Sequence, residues 1–234
     1  MIKNIMFDMD GTLIDCNAKV FIPVYVKAIR DAFGEPLGGI IAKVAISGAQ
    51  VMVDNDGSRT NREAFLEYAK PRIPMPMDEF ERVMTEFYKN GYTAVASVIK
   101  QKPAMINAVS ALKAKGIKLI VTTNPVFPLA ALLFRLRCGG YDPAMFDFVT
   151  SYETSGYARP NPMYYTETLR CLGISPSETL IVGNDEKEDV ESGKAAGMLA
   201  YYLTDTPIHA DGETSPDFSG SSEDFLAFAR TLGR

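Results

Sequence analysis

The chain has 234 residues, 47% of them hydrophobic and 23% charged, enough to bury a core without disulfide or metal staples. A formal net charge of −5 disfavours a general nucleic-acid binder, which should carry a basic face. Three widely spaced cysteines (Cys16, Cys138, Cys171) and a single histidine (His209) exclude a disulfide framework and a CxxC zinc site, and make Ser-His-Asp and multi-histidine chemistry poor candidates.

Along the chain, Ile2–Phe7 reads as a buried strand. The stretch Cys16–Lys102 contains no comparable strand. Its helical pieces are Ala18–Phe33, Asn61–Tyr68 and Met77–Asn90, punctuated by Gly34, Gly38, Gly39, Gly57, Pro71, Pro74 and Pro76. Met84, Phe87 and Tyr88 fit core packing at helical spacing. Gln50, Asp54, Asn55, Arg59 and Arg62 lie in a polar stretch that can face a substrate, solvation being the plainer reading. An insert of this size is expected to form a small helical domain over a sheet edge, with simple crossover packing as the alternative. Further strands are expected at Lys118–Thr123, Phe146–Thr150, Thr179–Val182 and Leu199–Leu203. They alternate with helices at Ala104–Lys115, Pro128–Arg137, Pro162–Leu172 and Lys187–Ala196, three of them stopped by Gly116, Gly173 and Gly197. Repeated strand–helix units imply an α/β fold, a doubly wound parallel sheet with helices on both faces. Thr204–Ser222 reads as a polar loop before a last helix at Glu223–Leu232. No apolar run reaches the length of a membrane span, and MIKNIMFDMDGT lacks a leader's apolar core, so a reducing, cytoplasmic setting is expected.

In an open parallel sheet, ligands bind at the carboxyl ends of the strands. The first strand ends in Asp8-Met9-Asp10-Gly11-Thr12. Two carboxylates two positions apart share a face if the chain stays extended, and can serve a hard cation or divide the work of nucleophile and proton carrier. Gly11 permits close backbone approach and can leave amides free for an anion. An Asp-Gly turn of no function is the competing reading. Thr123 and Asn124 follow the second strand, where they can bind phosphate oxygens or merely cap a helix. Arg159 precedes a proline-started helix, a phosphate ligand or a surface cation. The fourth strand opens into Asn184, Asp185, Glu186, Lys187, Glu188 and Asp189, an acidic helix start that beside Asp8 and Asp10 becomes a magnesium candidate. His209, in the polar loop, reads as solvated or structural.

The order of these signals, one after each successive strand, resembles the haloacid dehalogenase superfamily, composed mostly of phosphatases. DMDGT resembles its first motif, Thr123-Asn124 its second, Arg159-Pro160-Asn161-Pro162 its third and VGNDEKED its fourth. The resemblance implies a Rossmann-like core of residues 1–15 plus 103–234 and a mobile helical cap of residues 16–102. It implies Asp8 as the nucleophile that becomes an aspartyl phosphate, and Asp10 as the acid and base for the leaving alcohol and the attacking water. Gly11, Thr123, Asn124 and Arg159 would hold the phosphoryl group. Mg²⁺ would sit on the Asp8 carboxylate, the Asp10 carbonyl and an acid of the fourth motif; because hard cations prefer carboxylates, Asp185 is expected there, with Asn184 and Asp189 as alternative or supporting positions. Two departures stand out: Arg159 replaces the usual lysine, and Asn184 occupies a position where many relatives carry Asp.

The expected function is Mg²⁺-dependent dephosphorylation of a small phosphorylated metabolite, with no nucleic-acid or membrane partner. A phosphomutase using the same aspartate is an alternative, as is a non-catalytic binding or regulatory module on the same fold. A dehalogenase does not require the second acid, and phosphonate-hydrolase relatives replace it, so Asp10 disfavours both.

Overall fold

The computed structural model describes residues 1–211 and 215–233. In chain order its strands are β1 Asn4–Phe7, β2 Ile14–Asp15, β3 Lys100–Gln101, β4 Lys118–Val121, β5 Phe148–Val149, β6 Thr179–Gly183, β7 Leu199–Leu203 and β8 Phe218–Gly220. Six of them form a parallel sheet in the order β5-β4-β1-β6-β7-β8, while β2 and β3 pair antiparallel in a separate ribbon. The helices are α1 Ala18–Phe33, α2 Leu37–Val53, α3 Asn61–Ala69, α4 Met77–Asn90, α5 Pro103–Ala114, α6 Leu129–Cys138, α7 Met163–Leu172, α8 Ser192–Ala195 and α9 Ser222–Thr231.

Alternation along the strands sorts the core onto two faces. Ile5, Phe7, Leu119, Val121 and Val182 pack with Val109 of α5, Leu132 of α6 and Phe225 of α9. Met6, Ile120, Ile181 and Ala200 pack with Tyr164, Tyr165 and Leu169 of α7. The expected parallel sheet with helices on both faces is therefore observed.

Helices α1–α4 all lie between β2 and β3, so the chain enters and leaves this segment side by side, with Ile14 opposite Gln101. Asn17 caps α1 through its side-chain oxygen, and Thr60 closes a capping box with Glu63 at the start of α3. Aromatic contacts run from this segment to α6 and the loop before it: Phe21 and Tyr25 meet Phe127 edge-on, and Tyr92 meets Phe134 of α6.

Three features differ from the sequence expectation. Leu37–Val53 is a helix of 17 residues where glycine punctuation suggested irregular chain. Its glycines serve close packing: a Cβ on Gly38 would fall 2.7 Å from the Arg30 Cα, and one on Gly48 would fall 2.6 Å from the Phe65 ring. Phe218–Gly220 is an edge strand within the expected loop Thr204–Ser222, of which residues 212–214 lie outside the described residues. The expected helix Lys187–Ala196 opens as a π-helical stretch, Glu186–Glu191, before α8.

Candidate active site

The carboxyl ends of β1, β4 and β6 meet at one place, because these strands are neighbours in the sheet. Asp8, the first residue beyond β1, is tied to the sheet by its amide, which donates to the Val182 carbonyl at 3.0 Å. Its carboxylate is 3% exposed and accepts a hydrogen bond from Arg159 Nη2 at 2.8 Å. Arg159 also ion-pairs with Asp189 through Nη1, and its Nε lies 3.5 Å from Glu188 Oε2. Asp189 takes two further donors, the Asp185 amide at 3.0 Å and the Tyr165 hydroxyl at 3.3 Å. A Cβ on Gly183 would collide with the Asp189 carboxylate, so this position admits only glycine.

Electrostatics in this cluster are tight. Burial lifts the Asp8 carboxyl to about 6, against the pull of Arg159. Burial lifts Asp189 further, to about 8, again against Arg159 and with Asp8 adding repulsion. Two buried acids share one guanidinium, so the second holds its proton longer. At pH 7 Asp8 is largely ionised and can act as a nucleophile. Burial of Arg159 itself favours the neutral form, but Asp189 and Asp8 outweigh it and keep the guanidinium charged. Cys16, which also borders the site, is no thiolate: burial pushes it up to about 11.

Asp10 turns elsewhere. The extended chain ends at Phe7 and bends at Gly11, whose φ is 81°, so Asp8 and Asp10 meet different partners instead of facing one cation. The Asp10 carboxylate ion-pairs with Arg135 of α6, a residue 2% exposed. The Arg135 guanidinium also lies 4.5 Å from the centroid of the Phe21 ring, a cation–π contact between α6 and α1, and its Nε is buried without a hydrogen-bond partner. Arg135 was not singled out by the sequence reading. The available signal was its register: it falls with Ala131, Leu132 and Leu136 on the buried face of α6.

The Gly11 amide donates to the Ile14 carbonyl at 2.8 Å, so it is not free for an anion; Gly11 supplies space, since a Cβ would fall 2.5 Å from Asn184 Nδ2. Its carbonyl is gripped by Lys102 Nζ at 2.7 Å and Thr206 Oγ1 at 2.9 Å. Thr123 is buried and borders the cavity described below. Asn124 donates weakly to the Arg159 carbonyl at 3.5 Å and keeps its buried Oδ1 unpartnered. Asn184 accepts from Thr12 Oγ1 at 3.1 Å and donates to the Thr206 carbonyl at 2.6 Å, so both ends of its amide are engaged. Asp185 is partly exposed to the cavity and caps the π-helical stretch with Oδ1.

The polar candidates of the helical segment are mostly remote. Gln50 bonds Asp54 and Arg59 pairs with Glu67, all exposed, while Asn55 is buried against Asn61. Only Arg62, paired with Glu81, borders the cavity. His209 is exposed, with Nδ1 3.1 Å from Glu186 Oε1.

Asp8, Asp10, Thr123, Asn124, Arg159, Asn184 and Asp185 open onto one cavity of about 1000 Å³. One wall carries Asp8, Asp10, Thr123, Arg159 and Asp185, and the opposite wall comes from α1, α2, α3 and α4. Among the described residues, no three Asp, Glu, His or Cys side chains converge on a single point. A Mg²⁺ ion does not need that: it is held by one or two carboxylates and keeps water. The donor set at the strand ends is all oxygen, and the buried acids outnumber Arg159, so the site fits a hard cation.

A family model for haloacid dehalogenase-like hydrolases matches residues 2–197. A phosphoglycolate phosphatase of Aquifex aeolicus is 30% identical over 196 residues, covering 82% of this chain and 80% of its own. One from Escherichia coli strain K12 is 28% identical over 214 residues, covering 87% and 81%. Among solved structures, the 2-haloacid dehalogenase of Pseudomonas syringae superposes with a TM-score of 0.66 at 22% identity, over 97% of this chain and 99% of its own. That likeness concerns the fold alone.

Proposed function

Because the chain belongs to the haloacid dehalogenase-like hydrolase family, we propose that it is a Mg²⁺-dependent phosphatase acting on a small phosphorylated metabolite through an aspartyl phosphate on Asp8. The observation that carries this reading is the pairing of a buried, ionisable Asp8 with Arg159 beside Asp10, at the floor of a single cavity. An anionic nucleophile meets an anionic phosphate only where cations offset the repulsion. Arg159 offers that charge within hydrogen-bond reach of Asp8. Asp8 attacks phosphorus, and Asp10 gives a proton to the departing alcohol oxygen. Water then attacks the aspartyl phosphate while Asp10 takes a proton from it, which restores both carboxyl groups. Thr123 Oγ1 and the Asn124 side-chain N–H, which makes only a 3.5 Å bond to the Arg159 carbonyl, donate to non-bridging oxygens. Mg²⁺ would be held by Asp8, the Asp10 carbonyl and Asp185, and would supply charge neutralisation at the phosphoryl group. The full engagement of the Asn184 amide favours Asp185 over Asn184 for this task.

Residues 16–102 act as a cap over a core of residues 1–15 and 103–234, with the β2–β3 ribbon as the pivot. The free state of Cys16, Cys138 and Cys171 supports a cytoplasmic setting. No described helix is long and apolar enough to cross a membrane. The test is release of inorganic phosphate from a chromogenic phosphate ester with Mg²⁺ present, compared with Asp8→Asn. Turnover that survives Asp8→Asn, or transfer of phosphate to an isomeric sugar phosphate without release, would refute the reading.

A further inference from the structure

The wall facing the catalytic aspartates has the wrong chemistry for a small dianion and the right chemistry for an apolar group. Phe21, Phe65, Leu66, Phe80, Met84 and Phe127 border the same cavity as Asp8 and Asp10. Ala45 and Ala49, one turn apart on α2, face it with small side chains that leave its upper part open. Ile22, Ile46 and Ile208 are 39%, 39% and 51% exposed, and all three border this cavity, where exposed apolar side chains would otherwise scatter. The cations tell the same story. Arg62 is paired with Glu81, Arg135 with Asp10, and Arg159 with Asp8 and Asp189. The other two bordering cations, Lys19 and Lys89, are exposed to solvent. Among the described residues bordering the cavity, no buried cation is left to pair with a second anionic group. Phosphoglycolate, the compound in the names of the relatives above, would bring a carboxylate without a buried partner. A cavity of about 1000 Å³ also greatly exceeds so small a molecule; it sits at the upper end of small-molecule pockets, about 300–1000 Å³.

We infer that the substrate is a phosphate monoester whose alcohol carries a sizeable apolar group, alkyl or aromatic, seated between α1, α2 and α4 while the phosphate meets Asp8. This rests on the phosphatase reading for its reaction but not for its binding. The bond broken is the ordinary ester P–O bond; the apolar group takes no part in the chemistry and adds binding energy remote from it.

Ethyl and hexyl phosphate test this, since their leaving groups are nearly equal in basicity and differ in buried methylenes. Hydrolysis with Mg²⁺ should show kcat/KM rising about fourfold per methylene, so roughly two hundred and fifty-fold for hexyl over ethyl phosphate. Phosphoglycolate should fall no higher than ethyl phosphate. Filling the cavity with Ala49→Phe should cut the hexyl-to-ethyl ratio by at least about tenfold; Ala45→Leu fills it from the neighbouring turn if the first variant fails to fold. Calorimetric binding of both esters to Asp8→Asn reads the same gradient without turnover. A flat gradient in hydrolysis or in binding, or a ratio unchanged in both filled variants, overturns the inference while leaving the phosphatase intact. Absence of hydrolysis with a steep binding gradient overturns the reaction and upholds the ligand class.

Discussion

Replacing Arg159 by alanine strips Asp8 of a donor at 2.8 Å and Asp189 of its ion pair, with both carboxylates left nearly inaccessible to water. Breaking a buried pair by removing one partner costs about 3–5 kcal/mol. The stranded acids can limit that cost by taking up protons, so the loss depends on pH. Burial has already lifted Asp8 to about 6 and Asp189 to about 8. A carboxyl raised in the folded state adds stability that is complete below its unfolded value and disappears as pH rises through the folded one. At pH 5 both groups are mostly protonated and the guanidinium is little missed. At pH 8 each acid must either stay ionised without its cation or take up a proton that solvent at that pH supplies only at a cost. Arg159→Ala should therefore lose about 3–5 kcal/mol at pH 8 and clearly less at pH 5, read by urea unfolding at the two values. Adding Asp189→Asn removes one stranded acid and should recover part of the pH 8 loss without restoring catalysis. Turnover should fall at least about a hundredfold in Arg159→Ala, and Arg159→Lys should retain more of both stability and activity. Equal destabilisation at pH 5 and pH 8, or a loss under about 1 kcal/mol, would refute the claim that one guanidinium holds two buried acids.

Asp8→Asn should abolish turnover with an unchanged far-ultraviolet circular dichroism spectrum; activity within about tenfold of the parent would sink the nucleophile assignment. Exhaustive chelation should stop phosphate release and Mg²⁺ should restore it, with Ca²⁺ a poor substitute because it takes more ligands at longer bonds; full activity after chelation contradicts this. In Mg²⁺ titrations of activity, Asp185→Ala should weaken metal affinity more than Asn184→Ala, and the reverse ranking would give the ligand role to Asn184. Arg135→Met, which keeps an apolar stem against Phe21 but frees Asp10, should lower kcat more than it raises KM; a pure KM effect would place Arg135 in ground-state binding instead.

Much of the fold could be read in advance because buried parallel strands write themselves as short apolar runs, as in Asn4–Phe7 and Lys118–Val121. The helix Leu37–Val53 was hidden by Gly38, Gly39 and Gly48, since a glycine that admits a neighbouring backbone or ring is spelled like one that breaks a helix. At the site, strand ends gave Asp8, Thr123, Arg159 and Asp189 their common location. Pairing was another matter. Arg159 meets Asp8 across 151 positions, and Arg135 meets Asp10 across 125. Separations of that size are set by strand order, which local spacing does not encode. Arg135 was doubly concealed, being a charge inside an otherwise apolar face whose partner lies on another element.

The β2–β3 ribbon has a bearing on how this protein can diversify. Because Ile14 stands opposite Gln101, the two ends of the helical segment are fixed within a strand spacing of one another. For the sheet, everything between them is a closed excursion, and closure entropy changes only slowly with its length. Helices can be lengthened, exchanged or lost there without shifting the register of β1 against β4 and β6. The exit of that excursion, Lys102, nevertheless reaches back to the Gly11 carbonyl. New guests are thus free in sequence but not in anchorage: each must return the chain so that Lys102 still meets the carbonyl that Thr206 holds from the other side.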